Sequence, residues 1–410
     1  MNRRGLTRLS GLRRCWSFAL WLALLLWPCL ASATVWRNSK ITELVVSGTD
    51  RLLNLDFDEA DEAFARVGAL DGTNLLSPFY RAYVKLARTE DREATRKEMD
   101  EFLAAMRDLT SRAEAQLAKT PDDADLLLFV GMAWGSKAMI DGVRGNYLSA
   151  LEAIKLTRQY FKRCLQHQPT RHDVYYGLGL YDYTLSRVSW FFRPIVHLVL
   201  PAGDRDRGLQ ELSLASERGT ATKMLAKFAL LQTYTGLEKD YRRALPLAEE
   251  LLRRFPGNPE LYFQAALIYS ELGRSAQALE VGRQIRANLE EHRHHFKPEM
   301  LPRYLQLMGK VYMDRGEYTT ALSFFRKAIE QPSTQYEWVT AWAWTRSGMI
   351  HDLLGQREEA MKSYQMALAV ETDGMAKEFA RQYLDQPYRK EAASRTAPNS
   401  DDPRREQRAP

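Results

Sequence analysis

Cysteine is nearly absent: 410 residues contain three. Cys15 and Cys29 lie in an N-terminal segment that reads as removable, which leaves Cys164 without an intramolecular partner. A disulfide-stapled architecture is therefore excluded, and the lone thiol is expected as a packing residue in the core. Catalytic spacings are missing too. There is no H-E-x-x-H, no G-x-S-x-G, no phosphate-cradling G-x-x-x-x-G-K and no C-x-x-C, which removes the enzyme classes whose chemistry depends on them. Only a convergent set of buried acids with shifted pKa would restore an enzymatic reading. No cofactor signature is present, and none is expected.

The first 33 residues differ from the rest. Arg3, Arg4, Arg8, Arg13 and Arg14 precede the apolar run Phe18–Trp27, and Ala31-Ser32-Ala33 supplies the small residues of a cleavage site. This predicts a secretory signal cut after Ala33 and a periplasmic protein with no membrane span in the mature chain. The alternative is an uncleaved inner-membrane anchor, since Trp16–Leu30 approaches the ~20 residues that cross a bilayer. Leu26-Trp27-Pro28 lacks the small residues that lipid attachment at Cys29 needs. Removing the five arginines takes the formal charge from +6 to +1, so the pI near 9.0 is no argument for nucleic acid.

What the chain does have is repetition. Past residue 220 it is self-similar with a period of 34, pairing Phe228 with Tyr262 and Ala244 with Ala278. "LQLMGKVYMDRGEYTTALSFFRKAIEQP" and "WTRSGMIHDLLGQREEAMKSYQMALAVE" align at Gly309/Gly348, Ala321/Ala360, Phe325/Tyr364 and Ala328/Ala367. Small residues at these places let two helices approach, and the aromatic fills the gap to the next unit. The pattern resembles the tetratricopeptide repeat (TPR), and the fold class expected is all-α, a right-handed TPR helical solenoid with an inserted apolar helical hairpin. Upstream the unit is degenerate: Ala60 and Phe64 take the small and aromatic places, Pro121 and Pro169 end two further units, and Cys164 stands where alanine is usual. The expected organisation is a signal at 1–33, a degenerate helical region at 34–220 with an insert at 184–207, regular repeats with a capping helix at 221–388, and a disordered tail at 389–410.

"YYGLGLYDYTLS" followed by "LVLPAGDRDRGLQEL", with "GMAWGSKAMIDGVRGNYLSALEA" before it, resembles exported bacterial tetratricopeptide proteins of unassigned activity. Over residues 125–235 it is more distantly similar to a eukaryotic repeat family linked with lipid droplets and mitochondrial inclusions. The resemblance implies a TPR array with an extra hairpin and brings no catalytic residue. The apolar part of the insert, Trp190–Leu200, contains Arg193 and His197 and is too short to cross a bilayer. It has three readings: filler that closes one face of the array, a wall for a lipid or apolar peptide, or a patch that docks on a membrane surface. Asp204 is expected to cap a helix over Arg205–Arg218. Glu290, Glu291, His292, His294 and His295 have the chemistry of metal ligands but poor spacing for one helical face, so a solvated loop is expected.

In TPR arrays partner contacts usually come from fixed positions of each first helix. Mapped here these are Tyr176, Leu180, Tyr183, Phe263, Leu267, Lys310, Met313, Trp342 and Met349. Aromatics and methionines dominate and one lysine appears, which suits an extended apolar peptide, an amphipathic helix or an acyl chain. The expectation is a non-enzymatic periplasmic scaffold or adaptor that binds an envelope protein or peptide in its concave groove. A carrier or sensor of a lipid or other apolar small molecule, held near the insert, is the alternative.

Overall fold

The computed structural model describes residues 39–89, 94–188, 193, 196, 200–293, 295–332, 336–372 and 374–389. The predicted signal, most of Trp190–Leu200 and nearly all of the predicted tail lie outside the described residues. Among the described residues there is no strand. The chain divides into two compact units, Met1–Met300 and Leu301–Pro410.

The first unit carries α1 (Ser39–Leu53), α2 (Phe57–Leu70), α3 (Leu76–Ala87), α4 (Arg96–Leu117), α5 (Ala124–Val143) and α6 (Tyr147–His167). It continues with α7 (Val174–Ser186), α8 (Arg205–Arg218), α9 (Lys223–Gln232), α10 (Tyr241–Arg254), α11 (Pro259–Glu271) and α12 (Ser275–Glu290). The second unit carries α13 (Leu301–Asp314), α14 (Tyr318–Glu330), α15 (Glu337–Leu353), α16 (Arg357–Ala369) and α17 (Met375–Asp385). Neighbours in sequence pack as helical hairpins, among them α1/α2, α5/α6, α7/α8, α13/α14 and α15/α16.

One packing device recurs in both units. A Cβ placed on Gly48, Gly131, Gly309 or Gly348 would lie 2.5 Å from a ring atom of Phe64, Phe161, Phe325 or Tyr364 respectively. The aromatic of each second helix thus rests on the bare backbone of the first, the small-beside-large arrangement that the repeat spacing predicts. Ala60, Ala321, Ala328, Ala360 and Ala367 are fully buried beside these rings. Cys164 is buried as well, its thiol donating to the Ala124 carbonyl at 3.2 Å, and burial pushes that thiol up to about 12. It packs, as its alanine position implies.

Helix α5 is long and apolar enough to cross a membrane, but 72% of its apolar window is buried inside the protein. It sits between α4 and α6 as a core helix. Around it run buried polar links: Arg171 reaches Asp125 at 3.1 Å, and Asp173 accepts from the backbone amides of Thr220, Ala221 and Thr222 at 2.9 to 3.1 Å.

Within the first unit, the first hairpin returns to residues two hundred positions later. Asp50 pairs with Arg254 at 2.6 Å, Asn54 accepts from the Gly257 amide at 2.8 Å, and Asn258 donates to the Leu53 carbonyl at 2.9 Å. His295 meets Phe57 edge-on at 5.6 Å. These contacts seat the end of α1 against the α10–α11 connection and the start of α2 against the segment after α12.

Candidate functional site

The predicted groove residues divide between the two units. In the first, Tyr176, Tyr183 and Phe263 are buried, while Leu180 and Leu267 are half-buried. In the second, Lys310, Met313 and Met349 are buried and Trp342 is half-buried. Leu180, Leu267 and Trp342 are the members with appreciable surface. Lys310 is packed against its own helix, its ammonium 2.6 Å from Asp314, an i,i+4 pairing. Of the histidine cluster, His292 has a left-handed backbone (φ +48°), His295 packs on Phe57, and His294 lies outside the described residues. Among the described residues no three metal-ligating side chains converge.

Two acid clusters that sequence reasoning missed lie around α7 and α8. Asp204 caps α8 as predicted, accepting from the Arg207 amide at 2.8 Å. The helices touch backbone to backbone: a Cβ on Gly208 would lie 2.6 Å from the Tyr183 amide nitrogen. That closeness brings Arg207 to buried Asp182, with two hydrogen bonds, one of 2.7 Å. Glu211, one turn on, hydrogen-bonds to Asp182, and burial first, then the Asp182 charge, pushes its carboxyl up to about 7. Its Oε2 is buried without a partner among the described residues.

The second acid, Glu238, stands at the end of a π-helical turn, Thr233–Glu238, that continues α9. This wider turn carries Glu238 inward, where it accepts from the Tyr183 hydroxyl at 2.6 Å, from Arg205 Nε at 2.9 Å and from Arg187. Burial opposes its ionisation, but hydrogen bonds from Arg205 and Tyr183 and the charges of Arg187 and Arg205 outweigh it and hold the carboxyl near 2. Guanidinium groups face both acid clusters, and this arrangement ties helices together rather than poising a base. The described part of the insert joins the same region: Leu200 packs with Tyr181 and Leu185, against which Leu151, Ile154, Val188 and Val196 also rest.

A partly exposed constellation of recognition chemistry is in the second unit. Trp338, Trp342 and Arg346 are four residues apart on α15 and share one helical stripe. The Arg346 guanidinium lies 4.4 Å above the Trp342 ring, and Arg303 lies 5.9 Å from both Tyr336 and Trp338. Trp342 continues to Phe379 of α17 at 5.7 Å, Phe379 stacks on Tyr383 at 5.9 Å, and Tyr383 meets Tyr388 at 5.1 Å. Trp338 is 38% exposed, which is high for a tryptophan. Ring faces backed by guanidinium groups provide flat apolar contact with little entropy to lose, and cations for acidic or carbonyl oxygens. Of this set the repeat positions named only Trp342. The stripe in "EWVTAWAWTR" carried a signal for Trp338 and Arg346, but nothing local pointed to Arg303 or Phe379.

Family models of the tetratricopeptide repeat agree with this architecture. Tetratricopeptide repeat families match at residues 237–293 and at 302–333 and 343–373. No curated protein matches the sequence. Among solved structures, the human IFIT1 dimer with m7Gppp-AAAA is similar at 12% identity, covering 91% of this chain and 84% of that one, with a TM-score of 0.42. Yeast Tom70 is similar at 12% identity, covering 83% and 87%, with a TM-score of 0.37. A tetratricopeptide repeat protein from Parabacteroides merdae is similar at 14% identity, covering 75% and 98%, with a TM-score of 0.32. Likenesses this distant carry nothing about a ligand. The family matches and the hairpin packing make this an all-α tetratricopeptide repeat fold.

Proposed function

We propose that the protein is a non-enzymatic periplasmic adaptor that holds an extended segment of an envelope protein against the α15 face of its second unit. The carrying observation is the accessible row of Trp338, Trp342 and Arg346 with Arg303 beside it. Arrays of TPR hairpins are protein-interaction folds, and an aromatic row of this kind suits a peptide backbone whose side chains include apolar and acidic groups. The arginine-rich start, apolar run and A-S-A step support export. Spacings for catalysis are missing, and Asp182 and Glu238 are engaged with arginines, which supports a binding role.

The test is crosslinking in the envelope followed by affinity measurement with the captured segment. Trp338→Ala with Trp342→Ala is expected to weaken that segment at least about tenfold, or about 1.4 kcal/mol, while helical content is retained. Unchanged capture by the double variant would refute the assignment of the site, and recovery of the protein in the cytoplasm would refute its location.

A further inference from the structure

The row on the α15 face offers hydrogen-bond donors and no acceptors. It is built from Trp338, Trp342, Arg303 and Arg346, and an indole N–H or a guanidinium can only donate. The carbonyls beneath it are spent inside α15. The exposed or half-buried acceptors on the same turns, Glu337 and Thr340, lie at least about 100° around the helix from the Trp338–Trp342–Arg346 stripe.

The two indoles of the row also keep their donors unused. In the first unit Trp134 gives its N–H to Glu114 at 3.4 Å, the kind of partner a packed tryptophan usually finds. Neither Trp338 nor Trp342 donates to any group among the described residues. The Trp342 N–H is unpaired without being sealed from solvent, and Trp338 is 38% exposed, so a docked chain can bring acceptors to this face.

Which chain does so follows from its own donors. An ordinary extended peptide carries an N–H for every carbonyl, and a face of donors leaves those N–H groups without partners once water is excluded, which is costly. Proline has no N–H. A run of prolines forms the polyproline II helix, which is extended, has no internal hydrogen bonds and keeps its carbonyls free. Such a segment brings acceptors alone, loses little entropy on docking and lays its rings on aromatic side chains. The guanidinium groups of Arg303 and Arg346 make the row positive, which complements an acidic residue.

We propose that the segment held on the α15 face is proline-rich, its carbonyls accepting from Trp338 and Trp342, its rings resting on the indoles, and an acidic residue lying toward Arg303 or Arg346. This rests on the α15 face being the docking site proposed above, and it names the chemical class of the partner segment.

The test is isothermal titration of the full protein with a peptide of about eight prolines between two aspartates, against a peptide of the same length that alternates alanine and serine between the same aspartates. The proline peptide is expected to bind one per chain and at least about tenfold more tightly than the other. Trp342→Phe keeps a ring and removes the N–H, and is expected to weaken the proline peptide several-fold. Trp338→Ala with Trp342→Ala should abolish its binding, with far-ultraviolet circular dichroism confirming that each variant folds. If the alanine–serine peptide binds this face as tightly, the proline assignment is overturned while the face itself stands. If the proline peptide binds the double variant as tightly as the parent, it docks elsewhere and the proposal is overturned. It is also overturned if the proline peptide does not bind at about 1 mM, or if the segment captured by crosslinking in the envelope contains no proline run, whereas the α15 face as such is judged by that crosslinking alone.

Discussion

At Gly348 the Tyr364 ring occupies the space that any side chain would take, with its Cε1 2.5 Å from the place of a Cβ. Gly348→Ala therefore has to displace a fully buried ring, and is expected to cost about 1–3 kcal/mol, measured as a shift in the urea midpoint. Pairing it with Tyr364→Leu tests the cause, because the smaller partner should recover part of the loss, whereas a generic helix effect would add independently. A midpoint unchanged by Gly348→Ala would refute the close packing. This level of the fold was legible in the sequence: Gly309/Phe325 and Gly348/Tyr364 share a 16-residue separation, and the separation alone puts the aromatic across from the glycine. Lys310 marks the limit. A list of repeat positions treats it as an available cation, while Asp314 one turn later binds it.

At the scale of the helix pair, two acids, Glu211 on α8 and Glu238 on the turn after α9, meet α7 and α8 with opposite responses to pH. The Glu211 carboxyl is raised from 4.5 to about 7 in the folded protein. Between those values the folded state holds a proton that the unfolded state has lost, so its contribution makes stability fall as pH rises from about 4.5 to 7 and stay level above. Glu211→Gln removes the charge that has to form beside Asp182. It is expected to flatten that slope and to stabilise the protein by about 1–2 kcal/mol at pH 8, read from urea unfolding at pH 5, 6, 7 and 8. The Glu238 carboxyl is lowered from 4.5 to about 2. Its contribution is present above about 4.5 and is lost as pH falls toward 2. Glu238→Gln should cost about 1–3 kcal/mol at pH 7 by leaving Arg187 and Arg205 without their carboxylate, and the difference from the parent should shrink in acid. A penalty for Glu238→Gln that is the same at pH 3 and pH 7 would show that packing, not charge, holds this corner. The sequence made the boundaries of this element readable, including the Asp204 cap. It did not reveal Asp182 with Arg207, 25 residues on, or Arg187 with Glu238, 51 residues on. The second of these depends on a π turn that shifts the facing of every residue after it, and no periodicity anticipates such a turn.

At the scale of the first unit as a whole, what was least legible is that it fastens its beginning to a connection two hundred residues later. Repeat logic predicts contacts between neighbours, and nothing about "LLNLDFDEA" or "RRFPGNPEL" indicates that they meet. The fastening is made by small polar groups: Asn54 accepts from the Gly257 amide at 2.8 Å while its own amide donates to Asp56 at 2.8 Å, and Asn258 reaches the Leu53 carbonyl. The backbone approach is close, since a Cβ on Gly257 would lie 2.7 Å from the Asn54 carbonyl oxygen. A purely nearest-neighbour array would open from its first helix without regard to residue 257. Here, α1 and α2 should open only when these bonds break. Asn54→Ala removes one of them and is expected to cost about 1 kcal/mol, a loss that falls on α1 and α2 rather than on the chain at large. Hydrogen exchange followed by mass spectrometry is the check: amides of residues 41–70 and of the 255–258 connection should exchange about fivefold faster, with α5 and α6 unchanged. If exchange in α5 and α6 rises equally, the first unit opens as one body and the fastening has no local role. If exchange rises in α1 alone and not at 255–258, the two segments do not support one another.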